Sequence, residues 1–212
     1  MYGRELDGEI LEFGHEGILY RNSFIMYDRG TESLWVHTTG QSVKGKLKGK
    51  QLTFIPSKIT SWGVWSARHP QTVVLEGKRA RGMMGAFSLT AKTAERYGVS
   101  VGQGDEVKLY PIAALRKARV VLDQFAGRDI VVFFDDQGMH ATAFERGAHT
   151  FRWSGESFVD ERGRAWNASL GQPVGARDAS EQLIPVPATT FLIHRWKGFY
   201  PKSEIFGAPE PE

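Results

Sequence analysis

The chain has no cysteine in its 212 residues. That absence excludes disulfides, thiolate metal centres and a cysteine nucleophile within it. It also agrees with a reducing compartment. No apolar core follows Met1-Tyr2-Gly3-Arg4-Glu5 to act as an export signal, so a cytoplasmic location is the default expectation. No run of about 18 apolar residues occurs, and no membrane-spanning helix is expected. Charge of one sign is scarce as well. The net charge is +3 with histidine neutral, too little to argue for a nucleic-acid or membrane partner. Two basic runs, Lys44-Gly45-Lys46-Leu47-Lys48-Gly49-Lys50 and Lys78-Arg79-Ala80-Arg81, read as solvated hairpins or loops rather than phosphate-contacting surfaces.

Motifs of known chemistry are missing too. The six histidines are His15, His37, His69, His140, His149 and His194, and none forms an H-x-x-x-H or H-x-H pair of the kind that binds zinc. Gly98-Val99-Ser100-Val101-Gly102-Gln103-Gly104 is not a phosphate loop, because no helix opening on Gly-Lys-Ser/Thr follows it. Ser57, Ser61 and Ser154 lack the setting of a nucleophile elbow. No cofactor is implied by any motif.

What the chain does have is aromatic bulk, with six Trp and thirteen Phe. These residues favour strands and bury large areas. Strands are expected at 9–13, 34–37, 51–55, 73–75, 106–110, 120–122, 129–134, 139–145 and 151–153, and 18–28 reads as one long strand or a bent pair. Asp28-Arg29-Gly30-Thr31 is turn chemistry. A helix follows Thr60 or Ser61, with Trp62 and Trp65 on one side and Pro70 past its end. A second short helix is expected at 112–117, and a long loop at 77–89. Strands at such short spacing imply a mainly β fold with a few short helices, β-rich α+β, around a barrel- or sandwich-like core.

The strongest signal is internal. Sliding the chain by 131 positions aligns 35–70 with 166–201 without a gap. Trp35, Gly40, Gln41, Val43, Gln51, Leu52, Pro56, Trp65 and Pro70 meet Trp166, Gly171, Gln172, Val174, Gln182, Leu183, Pro187, Trp196 and Pro201. Self-similarity of this kind indicates a duplicated unit. The expected organisation is a first copy at 1–76, a connecting loop at 77–96, a second copy at 97–206 and a frayed tail at 207–212, packed as one unit. Only the second copy has some fifty residues of strand-rich sequence ahead of it. The first copy is therefore expected to lack its leading strands and to present an open sheet edge. That edge could pair with a second copy of the chain.

Shared Trp, Gly and Pro residues point to scaffold. Polar residues that only the first copy keeps are the better functional candidates. Asn22 and Ser23, which have no counterpart in the second copy, and the dense polar group Asp28, Arg29, Thr31 and Ser33 with Trp35 beside it are candidate ligand-binding residues, in a pocket holding an anionic or polar molecule. His15 and His37 are candidate metal ligands, converging with Asp28.

Gly17-Ile18-Leu19-Tyr20-Arg21-Asn22-Ser23 and the stretch from Met26-Tyr27-Asp28-Arg29-Gly30-Thr31 to Trp35 resemble the domain of unknown function 3179 family. So do Gly45-Lys46-Leu47-Lys48-Gly49, Thr60-Ser61-Trp62, and Tyr110-Pro111-Ile112 with the strand at 120–123. The resemblance brings no established activity. It implies a Cys-Pro-Leu-Cys-like motif shortly before the Asp-Arg block, and this chain departs from that. The place in the second copy is held by Asp135-Asp136-Gln137-Gly138, and the matching stretch of the first copy would lie ahead of Met1, as if the start were truncated. The family also carries Gln at the position of His37. The reading that results is a β-rich binding or interaction domain with a polar pocket in its first copy, taking an unknown small ligand or protein. The alternatives are a metal-assisted enzyme using His15, His37 and Asp28, or a structural part of a larger chain or oligomer.

Overall fold

The computed structural model describes residues 1–55, 57–74, 93–177 and 179–208. Its strands form four four-stranded sheets and one two-stranded ribbon, and none of the sheets closes into a barrel. Three helices of two turns each accompany them: α1 (Trp62–Arg68), α2 (Ile112–Ala118) and α3 (Ile193–Phe199). The β-rich expectation holds, and of the barrel- or sandwich-like core expected, the barrel is not formed, since no sheet closes.

Residues 5–10 form the small ribbon, Glu5–Leu6 with Glu9–Ile10, turned by Asp7-Gly8. An antiparallel meander follows, built from Phe13–Tyr20, Ser23–Asp28, Leu34–Val36 and Gln41–Lys44. The stretch expected as one strand or a bent pair is a hairpin. Arg21 and Asn22 both have positive φ, 50° and 62°, as a two-residue turn between right-twisted strands requires. A second antiparallel meander contains Phe151–Trp153, Phe158–Asp160, Ala165–Asn167 and Gln172–Pro173.

The remaining two sheets make the main core. One has the order Ile184–Val186, His140–Glu145, Arg128–Asp135, Val120–Phe125. The other has the order Ala188–Leu192, Tyr97–Gln103, Glu106–Pro111, Glu204–Ile205, with its last pair parallel. Side chains of both sheets meet α2 in one cluster that includes Val99, Val101, Tyr110, Ile112, Leu115, Ile130, Val132 and Phe134. The alternate residues Val131 and Phe133 point the other way and pack with Phe144, Phe151, Phe158 and Trp166 under the second meander. The run Ile130-Val131-Val132-Phe133-Phe134 is thus apolar throughout because both of its faces are buried.

Three local expectations change. Tyr97–Gln103 is a strand that its glycines concealed. A Cβ on Gly98 would meet Leu109 Cδ1 at 2.8 Å, so this glycine allows close approach inside a sheet rather than a loop. The 51–55 stretch forms no strand of its own. It makes bridges at Gln51 and Phe54, with bonds from Gly3 N to the Thr53 carbonyl and from Ile55 N to the Met1 carbonyl. Residues 73 and 74 are irregular. Residue 75 and the expected loop at 77–89 lie outside the described residues, as does most of the 77–96 connection.

Positions 131 apart share local geometry, with one step of slippage at the paired aspartates Asp28 and Asp160. In the first meander Trp35 Nε1 donates to Asp28 Oδ2 at 3.0 Å, and in the second Trp166 Nε1 donates to Asp160 Oδ2 at 3.0 Å. Gly40 and Gly171 have φ of 69° and 64°, and each carbonyl accepts from a leucine N–H, Leu52 or Leu183. Helices α1 and α3 begin and end 131 positions apart, and each is closed by a bond from its C-cap N–H, His69 or Tyr200, to the carbonyl of Trp65 or Trp196.

Both aspartates are buried with their charge. Burial opposes ionisation of Asp160, but hydrogen bonds from Trp166 Nε1, Arg164 Nε and the N–H groups of Arg164 and Arg162 outweigh it. The carboxyl is held far below the usual range. Removing one partner of such a buried network costs about 3–5 kcal/mol, so Asp160→Ala is expected to lose that much in urea unfolding. The native contribution is complete above about pH 4, the ordinary carboxylate value, and is lost as pH falls through the depressed folded-state value. A variant with unchanged stability at neutral pH contradicts this account.

Candidate functional site

The first-copy candidates separate into small groups. Asp28, Thr31, Ser33 and Trp35 form one hydrogen-bonded cluster. Asp28 accepts from Thr31 N at 2.6 Å, from Thr31 Oγ1 at 2.8 Å and from the Trp35 indole. Ser33 Oγ bonds Thr31 Oγ1 and accepts from Leu47 N. Burial raises the Asp28 pKa, but these donors outweigh it and hold the carboxyl below its ordinary value. Ser23 Oγ joins His37 Nδ1 at 3.1 Å and Thr38 Oγ1 at 3.0 Å. Burial lowers the His37 pKa, partly countered by the Phe24 carbonyl. His15 and His37 sit on the ring of Phe24, with centroids 4.1 and 5.7 Å from it. Asn22 lies exposed in the hairpin turn. Arg29 stands 5.8 Å from the Tyr27 ring and, with Thr31, borders an open pocket of about 560 Å³ toward the ribbon at 5–10.

His15, His37 and Asp28 do not meet as a ligand set. Among the described residues, the three His or acidic groups whose ligand atoms come within 4.8 Å are His149, Asp160 and Glu161. There Asp160 is already engaged by Trp166, Arg164 and Arg162.

A larger concavity than the Arg29 pocket lies elsewhere, in a cleft of about 1060 Å³ between α1 and the second meander. The Ser61 hydroxyl caps α1 by accepting from Val64 N. The helix then carries Trp65, Arg68 and its C-cap His69 to one wall, with the Trp65 and His69 rings 4.0 Å apart. Opposite is the turn after the Arg128–Asp135 strand. Asp135 Oδ1 accepts from Gln137 N and Gly138 N at 3.0 Å each, fixing the turn. Its Oδ2 takes Arg68 Nη1 and lies 4.0 Å from His140 Nε2. Trp153 and Phe133 line the floor beside Arg119, whose guanidinium is 4.5 Å from the Trp153 ring. Arg119 Nη1 is 3.5 Å from Asp136, while its Nε is buried with no hydrogen-bond partner.

Lys58 lies at the neck of this cleft. Its Nζ donates to Ser169 Oγ at 2.9 Å, and among the described residues no carboxylate oxygen lies within 4.0 Å of it. Burial and then the Arg68 charge lower its pKa, with Asp135 opposing. Burial likewise opposes ionisation of Asp135, but Arg68 and the Gly138 N–H prevail and lower its pKa. His140 is pushed down by burial and then by Lys58, against the pull of Asp135, and the net shift favours the neutral imidazole. The arrangement offers an ammonium short of countercharge, the Arg119 guanidinium on the cleft lining, and aromatic walls. Such a site can hold a small anion.

Residues 1–98 match the family model described as a protein of unknown function, DUF3179. Over that stretch, a little under half of the 212 residues, the chain is similar to the DUF3179 family. Lys58, Trp65, Arg68 and His69 fall within the DUF3179 match, and Asp135, His140 and Trp153 fall beyond it. No curated protein and no solved structure matches the chain. Among the described residues, no helix is long and apolar enough to cross a membrane.

Sequence reasoning did not single out Lys58, Arg68, Arg119, Asp135 or His140. The signal available was the 131-residue offset, which sets Lys58, Arg68 and His69 of the DUF3179 stretch against Thr189, Phe199 and Tyr200. The electrostatics of the cleft give opposite signs for two substitutions. Lys58→Met removes a repelling charge and is expected to raise the His140 pKa toward its ordinary 6.5, whereas Asp135→Asn lowers it further. An NMR titration of the imidazole checks both, and a shift in the same direction for the two variants contradicts the assignment.

Proposed function

We propose that this protein is a binding domain for a small organic anion, held in the cleft between α1 and the second meander. The observation that carries the reading is the state of Lys58. A half-buried ammonium with one hydroxyl partner and a neighbouring guanidinium is electrostatically incomplete, and a buried charge without a countercharge is costly. A bound carboxylate or phosphate supplies what is missing. Arg119, whose partly exposed guanidinium lines the cleft beside Asp136, is the second donor, and Trp65 and Trp153 provide apolar area for the rest of the molecule.

We also infer that the two halves are copies of one unit, 1–76 and 97–206. The matching Trp–Asp pairs, glycine turns and helix limits support this. On that reading the two helices share a scaffold and differ in what they present. Trp196 of α3 is fully buried with Phe191, Leu109 and Val107, and Phe199 and Tyr200 pack against that cluster. The corresponding end of α1 offers Arg68 and His69 to the cleft. The polar pocket of the protein then lies at the junction of the copies, a common place for ligand sites.

A panel of mono- and dicarboxylates and inorganic phosphate, titrated by calorimetry at low salt, tests the proposal. At least one anion is expected to bind, and Lys58→Met is expected to weaken it tenfold or more, on the order of one lost charged hydrogen bond. Affinity should decline as pH rises through the Lys58 pKa, which lies below 10.5, because only the ammonium attracts the anion. If no anion binds at millimolar concentration, or Lys58→Met binds as well as the native protein, the proposal fails.

A further inference from the structure

A second, smaller pocket of about 290 Å³ opens beside the cleft, and Lys58, Thr142, Ser169 and Leu170 border both. Its walls are Ala141, Ala143, Phe144, Leu170, Val186 and Ala188. The polar side chains around it are already engaged. Ser57 Oγ accepts from the Met1 amino group, and Lys58 Nζ donates to Ser169 Oγ. Thr142 Oγ1 donates to the Ala168 carbonyl, and Gln182 Nε2 donates to the Leu170 carbonyl. The interior therefore presents aliphatic and aromatic carbon, with little left to hold ordered water. Pockets of that character are filled best by apolar groups.

We propose that the anion bound by the cleft is amphiphilic, a medium-chain aliphatic carboxylate whose head lies at Lys58 and whose chain enters this apolar pocket. The inference rests on the anion-binding reading of the cleft. Continuity decides the orientation, because among the described residues the cation on the shared rim is Lys58. Size sets the length. At about 30 Å³ for a water-sized group, the pocket holds roughly ten such groups, which corresponds to a chain of up to about eight carbons.

The test is calorimetric titration of the full chain with acetate, butyrate, hexanoate, octanoate and dodecanoate. Affinity is expected to rise about threefold to fourfold per added methylene up to octanoate and then to level off. Two variants read the pocket separately from the charge. Ala188→Leu fills it from a half-buried wall, and Leu170→Ser makes a half-exposed wall polar with little risk to folding. Either variant should flatten the dependence on chain length, and Ala188→Leu, which lies outside the cleft, should leave acetate binding unchanged, whereas Lys58→Met should weaken every member of the series. Equal affinity for acetate and octanoate, with both weakened by Lys58→Met, overturns the chain inference and leaves the anion site standing. Failure of every carboxylate to bind overturns both.

Discussion

The strand Arg128–Asp135 sets the constraint on which the rest depends, because its middle has no solvent face. Ile130, Val132 and Phe134 are packed into the core shared by two sheets and α2, while Val131 and Phe133 are packed under the second meander. A slip of one residue would exchange these two sets and unsettle both cores at once. The strand is therefore fixed in register from end to end, with six antiparallel partners on the His140–Glu145 strand and six on Val120–Phe125. Asp135 ends that strand, so its position in the cleft follows from core packing rather than from loop geometry. His140, its register partner, is placed by the same ladder.

The cleft joins this rigid edge to an element from the other half of the chain. Arg68 reaches Asp135 across 67 positions and Lys58 reaches Ser169 across 111. These contacts divide the charges unequally. Arg68 has Asp135, and Arg116 has Asp136, but among the described residues Lys58 bonds a hydroxyl and no carboxylate. Moving Lys58 into the protein weakens its hydration, and the adjacent guanidinium opposes its charge further. Both effects favour a bound anion over an empty site, and both are weaker at high ionic strength.

Much of the architecture could be read from the residues. Strand alternation, the Ser61 cap and the 112–117 helix followed from local pattern, and all three are present. The Tyr97–Gln103 strand was hidden because Gly98 signals a turn when its neighbour Leu109 is unseen. The barrel expectation failed because short-strand spacing does not say whether a sheet closes. The candidate site was less legible. Polar residues unique to the first half drew attention to His15 and His37, and the density of polar groups drew it to the Asp28 turn. Asp28 is occupied by Trp35 and Thr31, as Asp160 is by Trp166 and Arg164. Lys58 sits alone in sequence between Ser57 and Ile59 and has no local mark of importance. Its significance comes from Ser169, Asp135 and His140, which only folding brings to it.

The central claim is that Lys58 holds the head of an anion whose remainder lies along the walls of the cleft and its side pocket. A crystal structure of the protein grown with saturating octanoate tests it most directly. The account predicts a carboxylate within hydrogen-bonding distance of Lys58 Nζ and an aliphatic chain against Ala143, Val186 and Ala188. A cleft without octanoate density, or octanoate bound only at another surface such as the Arg29 pocket, would contradict it.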